Sequence, residues 1–181
     1  MIDPTKNSKP EIDQLNEQGS SILNLQEIES LISQITDPEI PVLTIADLGI
    51  LRSVKKINDR IEITITPTYV GCPAMGMIEM NIKALLDESK IKNYIIHTVL
   101  HPAWSTSWMS EEGRKKLKEF GIAPPSQKIR IQKLFEGQGI VECPRCNSTN
   151  TEMISEFAST ACKSLYRCKD CLEAFDYFKC H

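Results

Sequence analysis

Cysteines carry most of the chemical information in this 181-residue sequence, and they are unevenly placed. Six of the seven lie between Cys143 and Cys180, whereas Cys72 stands alone in "TPTYVGCPAMGM", between a glycine and a proline. "CPRC" (Cys143 to Cys146) and "CKDC" (Cys168 to Cys171) are two C-x2-C pairs separated by 21 residues, slightly beyond the roughly 15 to 20 usual for zinc sites of this kind. Each pair can wrap a tight turn that aims two thiolates at one ion, and two such turns complete a tetrahedron. Asn147 follows the first pair, where a knuckle needs a left-handed residue that Asn tolerates. Cys162, Cys180 and His181 exceed a four-ligand need; they are extra or alternative ligands, or small buried side chains. Zinc is the leading expectation for the cage, and iron or an iron–sulfur cluster is the alternative that thiolate spacing leaves open.

Cys72 suggests a different chemistry. Alternation in "RIEITIT" ends at Thr66, and helical spacing resumes with Ile78, Ile82 and Leu85, so Cys72 falls at or just before a helix N-terminus, with Pro73 as first helical residue. Unpaired amides and the positive dipole end favour a thiolate there, which predicts a lowered pKa and a nucleophilic or metal-binding sulfur. The bland alternative is an inert thiol. Gly71 and Gly76 would permit close approach by a ligand or partner. "TDPEIP" sets Asp37 and Glu39 among prolines, for which a helix stop and rigid turn is a sufficient reading. "HPAWSTSWMS" gathers His101, Trp104 and Trp108 directly after a strand, either as a docking surface or as a lid over the core. His97, inside that strand, reads as a packed histidine.

The elements that must position these groups follow from periodicity. Residues 1–23 are polar and carry prolines, and read as a loose tail. Asn24 with Glu27 three residues on caps a helix carrying Leu25, Ile28, Leu31, Ile32 and Ile35 until Asp37-Pro38 stops it. Ile50 to Ile57 and "RIEITIT" read as a hairpin about Asn58-Asp59. A second helix follows, then a strand from Tyr94 to Leu100, which a crossover helix would lay parallel to one neighbour in a mixed sheet. Ser110 caps a third helix, "EEGRKKLKEF", that Gly121 can end and that Gly113 weakens. "KIRIQK" (Lys128 to Lys133) alternates as an edge strand or connecting arm, and the apolar residues of the tail, from Met153 to Phe178, fit short ribbon strands. The expected class is α+β: a small mixed sheet with two to three helices over 24–125, a connection over 126–139, and a metal-binding ribbon over 140–181.

Composition narrows the function. A formal charge of −3 and a pI near 5.7 leave no overall basic footprint, and residues 140–181 hold five Lys or Arg against six Asp or Glu, so nucleic acid is not the expected partner. The sequence has no apolar run of about 18 residues and no basic-then-apolar leader, which predicts a cytoplasmic protein with thiols rather than disulfides and no membrane partner.

"ITDPEIPVLTIADLGIL", "TPTYVGCPAM", "HPAWSTSWMSEEGRKKLKEFGIAPP" and the tail from "CPRC" to "FKCH" together resemble the PaaD (PaaJ) family, the D components of bacterial phenylacetyl-CoA epoxidase systems. The likeness runs from about Asn24 to His181. The first unit alone is similar to the wider SufT-like family of iron–sulfur assembly factors, whose hallmarks fall here on Asp37, Pro38, Glu39 and Cys72. That resemblance implies an accessory role in aerobic phenylacetate breakdown, without enzymatic activity of its own. There the oxygenase carries a di-iron centre and the reductase a flavin and an iron–sulfur cluster, and these subunits are the implied protein partners; a homo-oligomer is left open. Cys72 would be a transient thiolate for metal, cluster or partner, with Asp37 and Glu39 as its neighbours. Two other functions compete on residue chemistry: a cysteine-dependent enzyme acting on CoA thioesters, with Cys72 as nucleophile and His101 as base, and an iron-binding electron-transfer subunit.

Overall fold

The computed structural model describes residues 23–125 and 141–179. The expectations for the N-terminal tail, for Lys128 to Lys133, and for Cys180 and His181 lie outside the described residues. Helix α1 (Leu25–Ser33) opens with the reciprocal cap that its sequence predicts. The Glu27 amide donates to the Asn24 side chain at 3.0 Å, and the Asn24 amide donates to the Glu27 carboxylate at 2.7 Å. Ile28 and Ile32 are its buried face. Beyond it, Asp37 holds a tight turn: one carboxylate oxygen accepts the amides of Glu39 at 2.9 Å and Ile40 at 2.8 Å.

Strands β1 (Leu51–Ile57) and β2 (Arg60–Ile65) form the expected antiparallel hairpin, with Asn58 at φ 54° in its turn. Ile61, Ile63 and Ile65 are buried, as the alternation requires. Helix α2 (Ala74–Glu88) buries Ile78, Ile82 and Leu86 and crosses to β3 (Tyr94–Thr98). β3 pairs parallel with β2, placing Ile63 opposite Ile96. His97 is not packed: it is exposed on β3, 3.9 Å from Glu62, because β3 is an edge strand whose end lies open to solvent.

Helix α3 (Glu111–Phe120) starts at Ser110, whose hydroxyl accepts the Gly113 amide at 2.8 Å, and ends at Gly121 with φ 90°. Gly113 fits closely, since a Cβ there would lie 3.0 Å from the Asp47 side chain and would press on it. Asp47 accepts from the Thr44 amide, the Ser110 hydroxyl and the Lys116 ammonium, the last at 2.7 Å.

A second sheet has the order β4-β7-β6-β5, with β4 (Ile122–Ala123), β5 (Thr151–Ser155), β6 (Lys163–Cys168) and β7 (Ala174–Phe178). β4 follows α3 directly yet pairs with β7, Ile122 opposite Asp176 and Ala123 opposite Tyr177, so a strand of the first expected unit completes the sheet of the second. Trp104 closes the same junction. Its ring meets Phe178 edge to face at 6.1 Å, and its Nε1 donates to the Leu48 carbonyl at 2.8 Å. Trp108 lies under the Arg52 guanidinium, 3.5 Å from the ring centroid. Trp104 is thus a lid residue over the core, while Trp108 is partly exposed beside Arg52.

Burial alone would raise the Asp47 carboxyl, but the Lys116, Thr44 and Ser110 donors outweigh it and hold the group below the usual carboxylate range. A lowered folded pKa gives stability that is present above the unfolded value of about 4 and is lost as pH falls through the folded one. Asp47→Ala is expected to lower the unfolding free energy by about 2 kcal/mol at neutral pH. Urea titrations should show that difference shrinking as the solution is acidified below the carboxylate range.

Candidate functional site

Two cysteine centres emerge, with different construction. In the ribbon, the Asn147 amide donates to the Cys143 carbonyl at 2.9 Å and the Cys143 amide to the Ser148 carbonyl at 2.9 Å, with Asn147 at φ 61° as its position in the knuckle predicts. The second knuckle places Leu172 at φ 64°, a left-handed leucine that its side chain gives no reason to expect. There the Cys171 amide points at the Cys168 sulfur at 3.5 Å, and the Cys168 amide donates to the Glu173 carbonyl. Asp170 ties the knuckles together by accepting from Ser148 and Asn150.

The Sγ atoms of Cys143, Cys146, Cys168 and Cys171 all lie within 4.8 Å of one another. Cys143 and Cys171 are 3.8 Å apart, and Cys146 and Cys168 are 3.5 Å apart. Bonds of ~2.3 Å to a tetrahedral ion set sulfurs about 3.8 Å apart, so the donor set fits a single thiophilic metal with its coordination closed. Amides of Cys171 and Asp170 hold the Cys168 thiol below its ordinary value, while the neighbouring cage sulfurs help push Cys146 and Cys171 above theirs, as four sulfurs crowded together without a cation require. Behind the cage, Tyr166 stacks on Phe175 at 6.0 Å and meets Tyr177 edge-on.

Cys162 has no place in this cage. It is buried and belongs to the apolar core of the first unit, against which Cys72 also packs. Its thiol donates toward the Glu39 carboxylate at 3.6 Å and lies 3.0 Å from the Thr160 hydroxyl. In the sequence Cys162 is a surplus to the metal count, and that surplus is the one signal that it belongs elsewhere.

Cys72 sits immediately before α2, where Pro73 is the cap residue rather than the first helical residue. Burial pushes its thiol up, the Ala74 amide opposes this, and Glu39 and Asp37 push it up further; the Tyr69 hydroxyl bonds to the sulfur without reversing the balance. The expected thiolate is therefore a thiol in the free protein. The helix amide is present, as predicted, but half-burial and two carboxylates outweigh it. Cys162 is likewise pushed up to about 11 by burial and Glu39. His101 is exposed, and no hydrogen bond joins it to Cys72, so the structure does not assemble that nucleophile and base. Gly71 takes φ 85°, and both it and Gly76 face open space, as close approach to Cys72 would need. Beside the sulfur, Tyr69 joins Val70, Leu100 and Trp104 around a half-open cavity of about 340 Å³.

A family model described as iron-sulfur cluster assembly protein matches residues 25–92, and one described as PaaD zinc beta ribbon domain matches residues 128–179. The chain is 47% identical over 156 residues to the D component of the "Putative 1,2-phenylacetyl-CoA epoxidase" of Escherichia coli, covering 86% of this chain and 93% of that protein. It is 34% identical over 87 residues to "Fe-S protein maturation auxiliary factor YitW" of Bacillus subtilis, covering 47% of this chain and 84% of that one. A solved domain from Bacillus anthracis, titled as a domain of unknown function, shares 27% identity at a TM-score of 0.47, over 51% of this chain and 90% of its own.

The two centres make opposite forecasts for one substitution. Cys143→Ser or Cys168→Ser should lose the bound metal and the ordered tyrosine signal in near-ultraviolet circular dichroism, since a sheet this small draws its folding free energy from the ion. Cys162→Ser should keep one metal per chain by elemental analysis; loss of the metal would return Cys162 to the cage.

Proposed function

The chain belongs to the family of phenylacetyl-CoA epoxidase D components, and from that premise we propose that it is an accessory protein of phenylacetate breakdown that helps mature a metal centre of the epoxidase or its reductase. The observation that carries this reading is the Cys72 site: a half-buried sulfur beside Asp37 and Glu39, inside the segment similar to iron–sulfur cluster assembly proteins. A nucleophilic cysteine is served by a base or by positive surroundings, and at Cys72 the one helix amide is outweighed by burial and two carboxylates. A metal-handling cysteine brings its own positive charge when the cargo arrives. The acidic surroundings thus favour the maturation reading over the thioester enzyme.

In the same reading the ribbon holds zinc as a structural ion. Four thiolates at tetrahedral spacing leave no open position for a substrate on the ion, as suits a structural zinc; an electron-transfer role would need iron in the same cage. The ribbon keeps a small sheet folded against the first unit. The cavity lined by Tyr69, Val70 and Leu100 is largely apolar and shares Tyr69 with the Cys72 site, with Val70 79% exposed, as suits docking of a protein client such as the reductase or an oxygenase component. Among the described residues no helix is long and apolar enough to cross a membrane.

Protein purified without oxygen should be colourless and contain one zinc per chain; a brown chromophore with iron in the ribbon would sink the structural-zinc reading. In cells, Cys72→Ala should reduce cluster occupancy of the reductase and slow growth on phenylacetate, and normal values of both would remove Cys72 from maturation.

A further inference from the structure

The four-cysteine cage does not exhaust the sulfur chemistry of the chain. Cys162 starts in the loop before β6, yet its side chain is 5% exposed within the core that also receives Cys72. The Glu39 carboxylate, from the turn that follows α1, reaches the Cys162 sulfur at 3.6 Å. Tyr69, whose hydroxyl bonds Cys72, feels the charges of Cys72, Glu39 and Cys162 together. Cys162 and Glu39 are thus in contact, and Tyr69 links that pair to Cys72 within the same core.

We propose that Cys162 is the second sulfur of the Cys72 site, and that Cys72, Cys162 and Glu39 form an open binding site for a thiophilic divalent cation. The proposal deepens the reading of Cys72 as a metal-handling residue and rests on it. Charge supports the choice of a cation. Lys163 acts on Asp37 and Cys162 but is already paired with Asp176 at 3.4 Å, so the Asp37 and Glu39 carboxylates lack a full counter-charge. Asp37 is not assigned as a ligand, because one of its oxygens is occupied by the Glu39 and Ile40 amides. Two sulfurs and a carboxylate select a transition cation such as ferrous iron or zinc over magnesium or calcium.

The site also differs from the cage in a way that suits cargo. These three donor atoms do not converge within 4.8 Å as the cage sulfurs do, so closure on an ion requires rotation of Cys72 or Glu39. Three protein ligands leave a fourth position free for a ligand from the client, which is the arrangement a metal must have if it is to leave. Opening and closing would not disturb the ribbon metal, whose ligands are all elsewhere.

The test is a cobalt(II) titration of the full chain, loaded beforehand with one zinc and kept reduced by a phosphine. We expect a second equivalent to bind with a thiolate-to-cobalt charge-transfer band, Cys162→Ser and Cys72→Ser each to weaken it by at least about tenfold, and Glu39→Gln to weaken it by about tenfold. Retention of one zinc and an unchanged far-ultraviolet spectrum verify that each variant is folded; should Cys162→Ser not fold, Glu39→Gln carries the same decision. A second equivalent that is absent, or whose band survives Cys162→Ser or Glu39→Gln, overturns the proposal. A band lost in Cys72→Ser but kept in Cys162→Ser refutes the shared site while leaving the maturation role of Cys72 standing. Full reductase clusters in the Cys72→Ala strain would refute that role and not the binding.

Discussion

Two rungs of parallel pairing, Ile122 to Asp176 and Ala123 to Tyr177, hold the ribbon sheet to the helix that ends the first unit. So short a ladder contributes little by itself, since each backbone hydrogen bond adds about 1 kcal/mol net. The junction depends on what the ladder aligns: Phe178 against Trp104, and Cys162 inside the first core. Trp104 in turn is fixed by its bond to the Leu48 carbonyl, in the segment that Asp47 ties to α3. Cys162 is therefore positioned by contacts that cross from one sheet to the other, whereas Glu39 and Cys72 are set within the first unit.

Electrostatics at the junction favour a cargo site over a catalytic one. A helix start offers an amide to Cys72, and in open solvent that would depress its pKa. Half-burial and the carboxylates of Asp37 and Glu39 reverse the outcome, leaving a protonated sulfur. A raised pKa leaves less of the thiolate, the form that attacks and oxidises, while no cation is present. A cation changes the sign of the same environment, turning both carboxylates and sulfurs from mutual penalties into ligands and counter-charges.

The ribbon makes the complementary argument about stability. Its apolar cluster is small: Ala123, Val141, Cys143, Cys168 and Phe175, with Tyr166 and Tyr177 packed beside it. One of those residues comes from β4, so the ribbon borrows core as well as a strand from its neighbour. An ion closed by the four thiolates would offset the shortfall in so small a sheet.

Much of this can be read from the chain. The Asn24 and Glu27 cap, the alternation of Ile61, Ile63 and Ile65, the Ser110 and Gly121 limits of α3, and the left-handed Asn147 are local, set by neighbours within a few residues, and each appears where its pattern places it. The four ribbon ligands are legible for the same reason, because two C-x2-C turns define a cage by spacing alone. The left-handed Leu172, the close fit at Gly113, the charge state of Cys72 and the destination of Cys162 are not. The last three are decided by atoms distant in sequence: Asp47 against Gly113, two carboxylates and burial against a helix amide, and a two-residue strand that carries a sulfur 123 residues along the chain to Glu39. Sequence determines which groups can act, through local spacing; tertiary packing decides their charge and their company, since desolvation and Coulomb interactions depend on distance in space rather than along the backbone.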